Sequence, residues 1–155
     1  GIDASLFQLP TTAQARKAGL KELAFLGDLG FDYLGTSVVA TQNTIQKKPD
    51  FVQRVVKAFV EGIAYLKTNK EAGLRSISKF TKLSDRTVLE EAYNTYALRL
   101  LPRVPYPSSK GIDAILEDLG KKNPKARTAD SAKFIDTSFL KELETSGFVA
   151  QLYRK

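Results

Sequence analysis

One group of residues suited to binding a ligand lies in the turn at positions 8–12, of sequence QLPTT. This turn joins a predicted strand to a predicted helix. The N–H groups at a helix N-terminus and nearby hydroxyls can donate hydrogen bonds to an anion or a polar ligand. In open α/β sheets, ligands bind beyond the carboxyl ends of the strands, where this turn would fall. We therefore take Gln8, Pro10, Thr11 and Thr12 as one candidate group, although Thr11 or Thr12 serving only to cap the helix explains the pattern equally well.

A second candidate group comes from Gly35, Thr36 and Ser37, inside the β-branched and aromatic segment YLGTSVVAT at positions 33–41. Glycine lets a backbone approach a ligand closely, and the two hydroxyls that follow can donate hydrogen bonds to it. An ordinary strand that bends at Gly35 is the alternative.

Several kinds of catalysis are excluded because the chain has no His and no Cys. It cannot supply a Ser-His-Asp triad, a thiolate nucleophile or a Cys/His zinc site. Glu90 and Glu91 are helix neighbours that point in different directions, so they form no acid/base pair. Asp28 and Asp32 flank a glycine-containing loop without a calcium-loop pattern, so solvated loop acids are favoured over a cation site. We predict neither a cofactor nor a metal, and no enzymatic activity.

The formal net charge of +7 does not by itself indicate a nucleic-acid partner. Most cations alternate with acids along helical patterns, as on a solvated helix surface. The one local cluster, Lys121, Lys122, Lys125 and Arg127, contains no aromatic residue for base stacking. We therefore predict a solvated loop there and no nucleic-acid binding.

The chain reads as short strands followed by helices. Strands are predicted at 2–7 and 33–41, with a further short apolar run at 23–26 and a helix at 13–18 stopped by Gly19. Pro49 begins the clearest helix, which has a broad apolar face. This face comprises Phe51, Val55, Phe59 and Ile63, flanked by Val52, Val56, Val60 and Ala64.

Further helices are predicted down to the end of the chain. One contains Leu74 and Phe80, the next is capped by Ser84, and a proline-rich stretch at 101–109 then interrupts the pattern. A helix stopped by Gly120 follows, then a polar loop through Ala129. Asp136 or Thr137 is predicted to cap the next helix, which Gly147 ends, and a final turn follows. The strands at 2–7 and 33–41 and the apolar run at 23–26 are too few for a stable parallel sheet. The helices could cover its faces, so we expect the missing partner strands to lie upstream of Gly1.

The segments GIDASLFQLPTTAQARKAGLKELAFLGDLG and YLGTSVVATQNTIQKKPDFVQRVVKAFVEGIAYLKTNKEAGL, in this order, resemble the second half of ABC-transporter solute-binding proteins. The branch is the one that contains nitrate, alkanesulfonate, taurine and thiamine-precursor binders. LPRVPYPSSKGIDAIL and FIDTSFLKELETSGFVAQLY are similar to the family's tail, so the resemblance spans essentially the whole chain.

The resemblance implies an α/β fold: the C-terminal portion of a two-lobed periplasmic-binding-protein-like fold, with few short strands followed by a mostly helical remainder. Residues 1–32 would belong to the second lobe and 33–41 would be a crossover strand. Residues 42–155 would be helical segments completing the lobes, mainly the first.

The same resemblance implies an extracytoplasmic solute-binding component of an ABC importer, periplasmic or anchored on the outer face of the cytoplasmic membrane. Gln8, Pro10, Thr11, Thr12, Gly35, Thr36 and Ser37 would face a sulfonate, nitrate or pyrimidine-like solute in an interlobe cleft. The expected partners are this solute, the permease subunits and an N-terminal half of the same protein. Phe7 and Gln8 stand where sulfonate and taurine binders often carry an aromatic at the end of the strand, which leaves the solute open.

Two other functions fit the sequence less well. One is a fragment of the fold-sharing pyrimidine synthases, whose catalysis depends on His. The other is a helical interaction module that docks a partner on the apolar face at 49–68, a face that a core helix also explains.

Overall fold

The computed structural model describes residues 3–8, 10–30, 32 and 34–154, and its regular secondary structure is helical. The α-helices are α1 Thr11–Lys17, α2 Gln42–Lys47, α3 Pro49–Thr68, α4 Lys70–Thr81, α5 Arg86–Tyr93, α6 Ser109–Gly120, α7 Pro124–Arg127, α8 Ser138–Thr145 and α9 Phe148–Leu152. Short 3-10 helices span Leu26–Asp28 and Ser131–Phe134, and a π-helical stretch at Asn94–Leu100 continues α5.

The predicted α/β fold class is wrong, because the described residues contain no strand. The predicted strands at 2–7 and 33–41 are irregular wherever they are described; Ile2 and Tyr33 lie outside the described residues. Strand propensity reflects how well a side chain fits a pleated, half-buried surface. A segment with high propensity forms no strand where no neighbouring strand is available.

Helix α3 begins at Pro49 as predicted and is the longest helix described. Val52, Val60, Ile63 and Ala64 are buried, so one side of the predicted apolar face is core. The other side is not covered: Phe51 is 51% exposed and Phe59 is 54% exposed. The sequence therefore predicted the helix correctly but overestimated how much of its apolar face is buried.

The first hydrophobic cluster joins α3 to the C-terminal helices. Val60 of α3 packs with Leu140 and Leu143 of α8 and with Val149 of α9. Gly147 has a φ of +77°, a left-handed conformation that favours glycine, and it separates α8 from α9 as predicted. This short connection brings two helices onto the same side of α3.

The second hydrophobic cluster joins α4, α5 and the π-helical stretch. Its buried members are Leu74, Leu89, Tyr93 and Ala97. The Tyr93 hydroxyl donates hydrogen bonds to the carbonyl oxygens of Leu66, at 3.0 Å, and Lys67, at 3.3 Å. These bonds anchor the buried ring against the C-terminal end of α3.

Asp85 rather than Ser84 caps α5. Its Oδ1 accepts hydrogen bonds from the backbone N–H groups of Thr87, at 3.0 Å, and Val88, at 3.3 Å. Its other carboxylate oxygen pairs with Lys17 of α1. The hydrogen bond from Lys17, followed by that from the Val88 N–H, lowers the pKa of Asp85 below its ordinary value.

This lowered pKa predicts a pH-dependent contribution of Asp85 to stability. A carboxyl whose pKa is lowered by folding stabilises the protein above the pKa of the unfolded chain, and this stabilisation is lost as the pH falls through the folded value. Asp85→Asn keeps a capping side chain but removes the charge. We expect the variant to unfold at lower urea concentration than the parent at neutral pH, with the difference disappearing at acidic pH.

Lys17→Gln, which removes the partner instead of the acid, should reproduce the same pH dependence. A difference in urea midpoint that stays constant from neutral to acidic pH would show that the carboxylate charge of Asp85 does not contribute.

The C-terminal helices follow the predicted order with local differences. Ser108 caps α6 by accepting a hydrogen bond from the Gly111 N–H at 3.1 Å, so the proline-rich interruption ends one residue earlier than predicted. The predicted polar loop before 129 contains the short helix α7, in which Pro124 occupies the first turn and Asn123 is the cap. Asn and Pro are strong signals for a helix start, and they outweigh the polar composition here.

Candidate functional site

The first candidate group lies at the start of α1. The carbonyl oxygen of Gln8 accepts hydrogen bonds from the N–H groups of Thr11, at 2.8 Å, and Thr12, at 3.3 Å. These two N–H groups are therefore already used, and a ligand at this turn would be recognised by side chains rather than by helix amides. Thr11 is exposed and Thr12 is half-buried, and their hydroxyls make no hydrogen bond within the described part of the chain.

The other members of this group border the turn. Gln8 is exposed and Pro10 is half-buried, while Leu9 lies outside the described residues. Neither threonine caps α1, because Pro10 occupies the N-cap position and no side chain accepts a hydrogen bond there. The alternative interpretation, in which Thr11 or Thr12 caps the helix, is therefore wrong.

The second candidate group lies in the irregular segment at 34–40. Gly35, Thr36 and Ser37 are all exposed. A Cβ placed on Gly35 would meet no atom within 4 Å, so this backbone lies in open space. The hydroxyls of Thr36 and Ser37 take part in no hydrogen bond with other described residues, which leaves both free to bind a ligand.

The structure does not bring the two groups into one pocket. No hydrogen bond between described residues joins positions 8–12 to positions 35–37, and neither group lines the clefts described below. What the two groups share is their surroundings, because each is flanked by apolar side chains that other described residues do not cover.

This uncovered apolar surface is concentrated before Thr41. In the described part of that region, Ala13 is the only buried side chain. The exposed large apolar residues there are Leu6, Phe7, Leu20, Leu23, Leu26, Leu29, Val38 and Val39. Leu6 is 83% exposed and Val39 is 89% exposed, so apolar side chains close in sequence to both candidate groups face solvent.

Polar contacts hold this region against the helices. Arg16 pairs with Glu91 of α5, and Asp28 pairs with Arg99 of the π-helical stretch. Asp32 Oδ2 accepts a hydrogen bond from the hydroxyl of Ser108 at 3.1 Å. Exposed ion pairs each contribute roughly 0–1 kcal/mol, so these contacts position the region without giving it a core of its own.

These contacts also explain the loop carboxylates. Asp28 and Asp32 each face a group on another helix or loop, so they act as attachment points rather than as a pair around a cation. Among the described residues there is no group of three or more His, Cys, Asp or Glu side chains that could hold a metal ion. Glu90 and Glu91 likewise bind separate partners, since Glu90 pairs with Lys70 and Arg86.

Two surface clefts are present that the sequence did not predict. One, of about 500 Å³, lies between α6 and α7 and is lined by Asp113, Glu117, Lys121 and Arg127 among others. The other, of about 580 Å³, lies at the junction of α2 and α3. Its lining comprises Asn43, Thr44, Lys47, Lys48, Pro49, Asp50, Phe51 and Arg54. The Lys47-Lys48-Pro49 run was the sequence feature from which the second cleft could have been predicted.

The two cations of the first cleft are already engaged by other groups of the chain. Lys121 pairs with Asp118, which raises the pKa of the lysine, and Arg127 Nε donates a hydrogen bond to the Gly120 carbonyl at 2.6 Å. Two members of the predicted basic cluster are thus bound to the chain itself.

Comparison with protein-family models, with curated proteins and with solved structures finds no match to this chain. Within the part of the chain that the structure describes, every helix falls short of the length or the hydrophobicity that a membrane span requires.

Proposed function

We propose that this chain is part of a non-catalytic solute-binding component of an ABC importer. Its solute would be small and anionic or polar, such as a sulfonate, nitrate or a pyrimidine-like compound. One observation carries the proposal: both candidate groups present unbonded hydroxyls to solvent beside apolar residues without cover. The segment order that resembles solute-binding proteins supports the same function.

Side chains supply the recognition in this proposal. The hydroxyls of Thr11, Thr12, Thr36 and Ser37 can donate hydrogen bonds to an oxyanion, and the Gln8 amide can donate or accept. The Thr11 and Thr12 amides are occupied by the Gln8 carbonyl, so they contribute little unless the turn rearranges. Such a set suits a small polar solute and involves no covalent step.

The uncovered apolar residues supply the second part of the proposal. Leu6 and Val39 would be buried against an N-terminal half of the same protein, which would also close the site over the solute. Burying apolar surface stabilises such an association by about 25 cal/mol per Å². The complete protein would then deliver solute to permease subunits, at the periplasmic side or from an anchor on the outer face of the cytoplasmic membrane.

Calorimetric titration of the full-length protein with a panel of nitrate, taurine-like sulfonates and pyrimidines tests this function. We expect saturable binding of at least one member. We expect Thr11→Val and Thr36→Val each to weaken it about tenfold, because each removes one hydrogen bond and leaves the solute's acceptor unpaired.

Thr128→Val, at an exposed threonine outside both groups, is the matched control and should bind like the parent. A folded protein that binds no member of the panel would count against this class of solute. Binding that is indifferent to both substitutions would count against these residues.

A further inference from the structure

We infer that the cleft at the junction of α2 and α3 is a binding site for a phosphate-type oxyanion carried on an apolar or aryl group. The inference does not depend on the proposed function, since none of the candidate solute-binding residues lines this cleft. It rests on the charge, the pairing state and the apolar wall of the cleft.

The cleft has an excess of unpaired positive charge. Lys47, Lys48 and Arg54 line it, against a single acid, Asp50. None of the ion pairs between described residues involves any of these three cations, whereas Arg16, Arg86 and Arg99 elsewhere are paired with carboxylates. Cations that have no ion-pair partner among the described residues remain available to an external anion, and a phosphate-type oxyanion can accept hydrogen bonds from several of them together.

The cleft between α6 and α7 provides an internal comparison. It has a similar volume, but its lining contains two acids, Asp113 and Glu117, against the two cations Lys121 and Arg127. Both of those cations already have partners within the chain. Of the two clefts, only the one at α2 and α3 therefore combines net positive charge with free cations.

The apolar wall specifies the rest of the ligand. Phe51 lines the cleft and is half exposed, so its ring offers a surface for an aryl or alkyl group. A volume of about 580 Å³ is within the range of small-molecule sites, about 300–1,000 Å³, and exceeds what one phosphate needs. Asn43 adds a side-chain amide that can donate or accept a hydrogen bond.

Titration with phenyl phosphate, inorganic phosphate and phenol, followed by NMR and calorimetry at neutral pH, tests the inference. We expect phenyl phosphate to bind saturably and more tightly than either of the other two. Lys48→Gln and Arg54→Gln should each weaken binding of phenyl phosphate about tenfold. Phe51→Ala should bring its affinity close to that of inorganic phosphate.

Asp50→Asn separates an electrostatic site from a general loss of structure, because this change removes the only acid of the cleft and should tighten binding several-fold. Lys121→Gln, in the other cleft, is the control and should leave binding unchanged. The inference is overturned if phenyl phosphate does not bind saturably, or if binding is insensitive to Lys48→Gln, Arg54→Gln and Asp50→Asn.

Competition between phenyl phosphate and lipid vesicles distinguishes a lipid headgroup from a free organic phosphate as the source of the oxyanion. Phosphatidylglycerol vesicles that displace phenyl phosphate, while phosphatidylcholine vesicles do not, assign the site to an anionic lipid headgroup. Phenyl phosphate binding that neither vesicle affects assigns it to a free organic phosphate. Both results support the oxyanion chemistry.

Discussion

Leu140→Ala is expected to lower the free energy of unfolding by about 2–5 kcal/mol, because it removes a buried side chain from the cluster that joins α3, α8 and α9. Leu140 packs with Val60, Leu143 and Val149, and together these residues attach the C-terminal helices to α3. The truncation loses the transfer free energy of the removed atoms and leaves a cavity that the helices fill only in part. Urea unfolding followed by far-UV circular dichroism measures the change.

Leu119→Ala makes the same chemical change at a half-exposed position of α6 and is the matched control. It should cost about 0.5 kcal/mol or less, as surface substitutions commonly do. Equal losses at Leu140 and Leu119 would contradict the packing of α8 against α3.

Gly73→Ala is expected to destabilise the protein by about 1 kcal/mol net, although alanine favours helix over glycine by roughly that amount. A Cβ on Gly73 would lie 2.6 Å from Cε2 of Tyr93 and 2.9 Å from Cδ1 of Leu66. The Tyr93 ring cannot move aside freely, because it is buried and its hydroxyl is bonded to the carbonyls of Leu66 and Lys67. Overpacking of about 1–3 kcal/mol therefore exceeds the gain in helix propensity.

Gly62→Ala provides the comparison within the neighbouring helix α3. A Cβ there would meet no atom within 4 Å, so only the propensity gain of about 0.5–1 kcal/mol remains and the protein should become more stable. The two substitutions thus have opposite expected signs. A Gly73→Ala protein as stable as Gly62→Ala would mean that Tyr93 does not pack against α4 as described.

The helices could be predicted because their signals are local. Pro49 and the four-residue apolar spacing define α3, and Gly147 separates α8 from α9 through a left-handed backbone conformation. The extent of burial could not be predicted this way. Periodicity shows which residues share a helix face, but not that Val60 is covered while Phe59 of the same face is left exposed.

The strand predictions failed for a non-local reason. The segment at 34–40 has β-branched residues such as Val38 and Val39, but a strand also requires hydrogen bonds to a neighbouring strand. The described residues provide no such neighbour, so the segment is irregular and its valines are exposed. The composition of the segment shows its preference for a strand, but it does not show whether a neighbouring strand is present.

The residue types of the candidate site could be predicted from the sequence, but their arrangement in space could not. The sequence indicated hydroxyls at Thr11, Thr12, Thr36 and Ser37, and these are unbonded. It did not indicate that the Gln8 carbonyl would occupy the helix amides, since that depends on how the turn folds back. The cleft at α2 and α3 was missed because the short helix α2 has no apolar periodicity.

Amide hydrogen exchange of the full-length protein, with and without the solute identified by titration, tests the central claim most directly. That claim is that the candidate groups at 8–12 and 35–37, which share no pocket among the described residues, both contribute to binding one solute in the full-length protein. We predict that the solute slows exchange in peptides covering both segments, with no change in the peptide covering 121–129. Saturating solute that leaves exchange at both segments unchanged, or slows it at only one of them, would contradict the claim.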